Sequence, residues 1–161
     1  MCMLCFSWRN CMKRLILVAT AAASMVMALP ASAQFKKPED AVHYRKAAFT
    51  LMSAHFGRIG AMVKGTVPFD AKAAAANADV VSAVATLPWS AFGEGTGVGR
   101  SEAKPEVWSQ PDKFKAGADK MVEAVGKLNA AAKSGNLDQL KVAFGETAKT
   151  CKGCHEAFKK D

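Results

Sequence analysis

Apolar residues recur at steps of three, four or seven through four stretches of this chain, the spacing of helices that bury one face. The first stretch is predicted to open near Pro38, which suits a first helical turn, and Glu39 and Asp40 complement its positive N-terminal end. Its stripe is Val42, Arg45, Phe49, Met52, Phe56, Ile59 and Val63, and Gly65 and Pro68 end it. The second is predicted to start after Asp70 as N-cap and to run through Ala73, Val80, Val84 and Leu87 until Pro88 stops it. The third opens near Ser109-Gln110-Pro111-Asp112, carries Phe114, Met121, Val125 and Leu128, and stops at Gly135. Asn136-Leu137-Asp138-Gln139 reads as a capping box for the fourth, whose face is Leu137, Leu140, Phe144, Ala148, Cys151, His155 and Phe158.

Residues 88–110 break the pattern. They hold Trp89, Phe92, Trp108 and four glycines, and a connection this long in a small domain is either functional or packed on something. No stretch alternates like a strand. The turns between helices one and two and between three and four are short, which favours antiparallel neighbours. The fold expected is all-α, an antiparallel four-helix bundle crossing at about 20°. Alanine is abundant on the second helix, where it permits close helix approach or simply favours helix formation.

The N-terminal residues change the bounds of that domain. Met12-Lys13-Arg14 is a short basic segment, Leu15 to Leu29 is apolar apart from Thr20 and Ser24, and Ala31-Ser32-Ala33 is a small-x-small cleavage site. Residues 1–33 therefore read as a secretory signal, with Met12 as the expected true start and the mature domain at residues 34–161. The apolar run is short for a membrane anchor. The signal carries Arg9, Lys13 and Arg14 and no acid, so its removal lowers the formal charge from +8 to +5. The remaining lysines are spread out, which does not point to nucleic acid. Cys2, Cys5 and Cys11 leave with the signal, so the mature domain keeps only Cys151 and Cys154.

Those two thiols lie in Cys151-Lys152-Gly153-Cys154-His155. C-x-x-C-H is the attachment signature of c-type haem: the thiols add across two vinyl groups and the imidazole becomes an axial iron ligand. On a helix, Cys151 and His155 share a face and Cys154 flanks it. A thioredoxin-like redox pair would need a βαβ context, a zinc site would need a second Cys pair, and an ordinary disulfide leaves the adjacent His unexplained. His155 falls on the apolar seam, so the haem is expected inside the bundle.

A four-helix bundle with C-x-x-C-H near its C-terminus resembles cytochrome c prime, a family of class II c-type cytochromes. Matching stretches are Gln34 to Ala41, Tyr44-Arg45, Thr50-Leu51-Met52, His55 to Arg58, Leu87-Pro88-Trp89, Ala91-Phe92-Gly93, Pro105 to Trp108 and Cys151 to His155. The resemblance implies a periplasmic protein with one covalent haem c, often a homodimer through its first two helices. It implies five-coordinate, high-spin iron with His155 as the sole protein ligand, which binds nitric oxide and carbon monoxide and disfavours oxygen. The role it implies is nitric oxide binding or scavenging, or electron transfer.

The same resemblance assigns other residues. Phe49 matches the distal pocket position, where a ring crowds a sixth ligand and offers it no hydrogen bond; pattern alone reads it as core. Arg45 is a cation on an apolar stripe, explained by a bidentate pair with a haem propionate or by snorkelling to the rim. Lys46 and Glu102 match its neighbours at the haem edge. Lys159 stands where the family usually has Arg against the proximal face, and it keeps the charge without the planar fork. Trp89 and Phe92 are candidate haem walls, Trp108 is expected at the bundle end, and His43 and His55 are expected to face solvent. Met52 or Met62 as a sixth ligand would make a low-spin electron carrier, the alternative reading; the early first helix, where low-spin members carry their Met, has none. A redox enzyme is the weakest reading, because no acid–base pair accompanies the haem motif.

Overall fold

The computed structural model describes residues 34–160, so the signal sequence and its cleavage site lie outside the described residues. Four long helices carry the fold: α1 (Pro38–Val63), α2 (Ala71–Val84), α3 (Pro111–Lys133) and α4 (Leu137–Phe158). They form the expected four-helix bundle, in which α1 packs on α2, α2 on α3 and α3 on α4, with α1 also meeting α4.

The helix ends follow local chemistry. Asp70 caps α2 by accepting from the Ala73 N–H at 3.0 Å. At the end of α1, the Thr66 N–H donates to Ala61 O and the Gly65 N–H to Met62 O, a Schellman motif that needs the left-handed φ of 72° at Gly65. Asn136 caps α4 by accepting from the N–H groups of Asp138 and Gln139, both at 3.0 Å. The reciprocal half of the predicted capping box is absent, because the Asn136 N–H donates to Ser134 Oγ instead.

Two apolar cores stack along the bundle. The far core joins Ile59, Met62, Ala74, Ala78, Leu128, Ala132 and Leu140. The near core joins Met52, Val81, Val84, Ala85, Met121 and Val125. Phe56 packs against both. The buried face of α2 is Ala74, Ala78, Val81 and Val84, one residue later than the predicted Ala73–Val80 register, and Leu87 is exposed. An alanine run has no contrast between its faces, so the sequence pattern could not set this register. His55 is half-buried rather than solvent-facing, because its Nδ1 bonds Asn77 Oδ1 of α2 at 2.8 Å.

The irregular stretch is more ordered than its composition predicts. Leu87–Ala91 forms a 3-10 turn with Pro88 at its start, and Glu106–Ser109 forms one helical turn. Trp89 Nε1 donates to Ala85 O at 2.7 Å. Trp108 Nε1 donates to the carbonyls of Phe92 and Gly93, and the near edge of its ring lies where a Cβ on Gly97 would be 2.9 Å away. The stretch then reaches the end of α4: the Lys104 N–H donates to Phe158 O at 2.9 Å and the Lys160 N–H to Glu102 O at 2.7 Å. This pairing is an isolated bridge, and no strand occurs among the described residues.

Phe56 and Phe144 stack with centroids 4.2 Å apart, and a Cβ on Gly60 would stand 2.9 Å from Phe144 Cζ. Gly57, one turn earlier, faces open space. Gly60→Ala should therefore cost about 1–3 kcal/mol despite the better helix former, because the stacked ring cannot yield. Gly57→Ala should gain up to about 1 kcal/mol. Urea unfolding of the two variants checks this; equal shifts would contradict the packing account.

Candidate functional site

Between the near core and the mouth of the bundle lies one cavity of about 1000 Å³. That is the upper end of the range for cofactor and ligand sites, roughly 300–1,000 Å³. Its walls are mostly apolar. The first helix contributes Arg45, Lys46, Phe49, Met52 and Phe56, α2 Val81, and α3 Phe114, Met121 and Val125. The connecting stretch contributes Trp89, Phe92, Glu102, Ala103 and Val107, and α4 contributes Thr147, Cys151, Cys154, His155, Phe158 and Lys159. Every site residue predicted from sequence borders this cavity except Met62, the second candidate for a sixth ligand, which is buried in the far core.

The motif sits on the last turns of α4. Cys151 and Cys154 are half-buried and not joined by a disulfide. Burial pushes both thiols above their usual range, and the neighbouring Cys151 pushes Cys154 further. A thioredoxin-like pair works by the opposite shift, so the electrostatics argue against a reactive dithiol. His155 is held below the usual imidazole range, first by burial and then by Lys159. The neutral ring, with a lone pair free for a metal, is thereby favoured. By whole-residue exposure His155 is a surface residue, although its side chain borders the cavity. No cluster of three His, Cys, Asp or Glu side chains suited to a metal occurs among the described residues, which leaves a protein-only zinc site without ligands.

An aromatic chain lines the wall. Phe49 meets Trp89 edge-on with centroids 5.7 Å apart, and Phe92 at 6.4 Å. Trp89 and Phe92 both meet Phe114, at 5.8 and 4.9 Å, and Phe114 meets Phe158 at 5.3 Å. The sequence pattern marks Phe114 and Phe158 only as stripe positions. The signal that could have found them is position: Phe158 follows His155 by one turn, on the same face. Met52 borders the cavity from the near core, where it is buried against apolar neighbours.

The polar residues divide into two groups. Lys46 Nζ and Lys159 Nζ both reach Glu102, at 2.9 and 3.3 Å, which links α1, the connecting stretch and the end of α4 at the rim. Glu102 is held below the usual carboxylate range, first by Lys46 and then by Lys159. All three side chains are about half exposed, so the triad adds little stability.

Arg45, the second group, lies inside the wall. It is 3% exposed. Its Nη1 donates to Ala91 O at 2.7 Å and Thr96 Oγ1 at 3.0 Å; its Nη2 donates to Thr96 O at 2.8 Å and Ser101 Oγ at 2.7 Å. Both terminal nitrogens donate to oxygens of the connecting stretch. Sequence reasoning missed Thr96 and Ser101, since nothing in a glycine-rich loop marks which hydroxyls face a buried cation.

A large apolar cavity with two unpaired thiols and a neutral imidazole on one helix fits a covalently tethered, planar, iron-bearing group. The family described as Cytochrome C' matches residues 40–159. The cytochrome c' of Rubrivivax gelatinosus is 56% identical over 127 residues, 78% of this chain and 98% of that protein. Its crystal structure covers 79% of this chain and 100% of its own, with 55% identity and a TM-score of 0.77. Variants of cytochrome c prime from Alcaligenes xylosoxidans, solved as a nitric oxide complex and with bound carbon monoxide, are each 47% identical, with TM-scores of 0.75. Each covers 80% of this chain, matched over 99% and 100% of the respective variant. Likeness of this extent, along nearly the whole of each relative, shows that the chain belongs to the cytochrome c' family, whose members carry covalent haem c.

Proposed function

We propose that this chain is exported to the periplasm and there binds nitric oxide and carbon monoxide, scavenging nitric oxide and exchanging electrons rather than turning over a substrate. The support comes from the gas complexes of its relatives and from one observation in particular. The ring that matches the family's distal position, Phe49, borders the cavity and has no atom able to ligate iron.

Haem c, when bound, supplies an iron that accepts a diatomic ligand and passes one electron. The residues of the chain set the terms. Cys151 and Cys154 would tether the group to α4, and His155 would offer its neutral ring as the protein ligand. Phe49 would crowd a gas ligand in the cavity and provides no N–H or O–H. A polarised ligand such as oxygen therefore finds no hydrogen bond from it, while nitric oxide and carbon monoxide need none. The Thr50 and Thr147 hydroxyls, which also border the cavity, donate to backbone carbonyls. Met52 is held in the near core by Val81, Met121 and Val125, which supports an open sixth position. Lys46 and Lys159, with spare N–H groups at the rim, suit carboxylates at the cofactor edge.

A homodimer through α1 and α2 is supported by the outer face of α1, where Leu51 is 50% exposed and Ala47 lies one turn before it. Periplasmic location is supported by the signal-like residues 12–33. No helix among the described residues is long and apolar enough to cross a membrane.

Two measurements test this. Acid–acetone should leave haem on the wild-type protein and extract it from Cys151→Ser/Cys154→Ser; extraction from both would rule out thioether attachment. The reduced protein should give a five-coordinate, high-spin spectrum and take up carbon monoxide, and Phe49→Ala should speed that uptake about tenfold, a drop of ~1.4 kcal/mol in the access barrier. A sharp low-spin spectrum that changes on Met52→Ala would replace this reading with the six-coordinate electron carrier.

A further inference from the structure

Both terminal nitrogens of Arg45 are engaged at the cavity wall, and their partners all lie on one segment. Ala91, Thr96 and Ser101 span the glycine-rich stretch that walls the mouth, and four hydrogen bonds of 2.7–3.0 Å join it to a single guanidinium. The Arg45 Cζ also lies 4.3 Å over the centre of the Phe92 ring, within cation–π range. Phe92 in turn stands 6.4 Å from Phe49, on the same ring cluster as Trp89. The gating ring is thus braced by a ring that Arg45 holds.

We infer that Arg45 is a positioning residue for gas access: it latches residues 91–101 to α1, fixes Phe92, and through Phe92 sets how far Phe49 can swing. The inference rests on the gas-binding reading and goes beyond it, because the gate is assigned to a buried cation and a loop rather than to Phe49 alone. A side chain that only filled space would stiffen the bundle without acting through Phe49. A latch acts through Phe49 and loses its effect when that ring is gone.

Carbon monoxide association with the reduced holoprotein, followed after flash photolysis, separates the two. Thr96→Val/Ser101→Ala removes two hydroxyl acceptors of Arg45, along with the Thr96 hydroxyl bond to Gly93 O and the Ala103 N–H bond to Ser101 Oγ, and leaves the guanidinium and every ring in place. This variant should associate roughly three- to tenfold faster, the range that loss of one aromatic brace supports. In a Phe49→Ala background the same pair of changes should add nothing. Phe92→Leu, which spares the four hydrogen bonds of Arg45 and removes the ring they brace, should reproduce the acceleration if the double variant folds poorly. Hydrogen exchange of the amides of residues 92–101 should quicken in Thr96→Val/Ser101→Ala and stay unchanged in Phe92→Leu. An unaltered association rate, or an equal acceleration with and without Phe49, would overturn the latch even if exchange quickens. Failure of the wild-type protein to take up any carbon monoxide would instead overturn the gas-binding reading, and the gate would fall with it.

Discussion

A buried guanidinium must keep its charge and must therefore find acceptors. In this chain that requirement shapes the mouth of the bundle. Arg45 sits on the inward stripe of α1, where burial lowers its pKa without neutralising it, and the nearest supply of carbonyl and hydroxyl oxygen is the loop that follows the 3-10 turn. The loop has to fold back across the bundle to deliver them. Glycines at 95 and 99, with φ of 75° and 57°, allow the reversals, and the Trp108 indole fastens the start of the loop. The wall of the cavity follows from satisfying one cation.

The apolar contacts use the frame this creates. Phe92 is carried by the loop, Trp89 by the 3-10 turn, Phe114 by α3 and Phe158 by α4, so four separate elements supply one connected row of aromatic side chains. Edge-to-face pairs are directional, and each is modest in energy. Their collective effect is to hold a concave apolar surface in shape on the side where Cys151, Cys154 and His155 enter.

Much of this was legible beforehand. Alternating steps of three and four gave α1, α3 and α4 because large apolar side chains contrast with charged ones there. The register of α2 was not legible, since alanine buries as readily as it faces water. The site was legible wherever chemistry is local: C-x-x-C-H declares its purpose in five residues, and the family likeness carried Phe49 and the rim lysines. What escaped were relations across long sequence separations. That Arg45 is taken by Thr96 and Ser101, that His55 reaches Asn77, and that Lys46 and Lys159 share Glu102 are facts of tertiary proximity with no periodic signature.

Phe56 belongs to both cores, and this has a consequence for how the molecule comes apart. The far core is closed by its own side chains, from Ile59 to Leu140, and depends on no group outside the polypeptide. The near core ends at the cavity wall, and its Met52 and Val125 border that space. Cohesion is therefore unequal along the bundle axis: one end is self-sufficient, whereas the other completes itself only around its prosthetic group. A chain that has not yet acquired haem would hold its helices together at the far end while its motif end stays loose enough to admit the tetrapyrrole. The shared phenyl ring is the point where those two regimes meet.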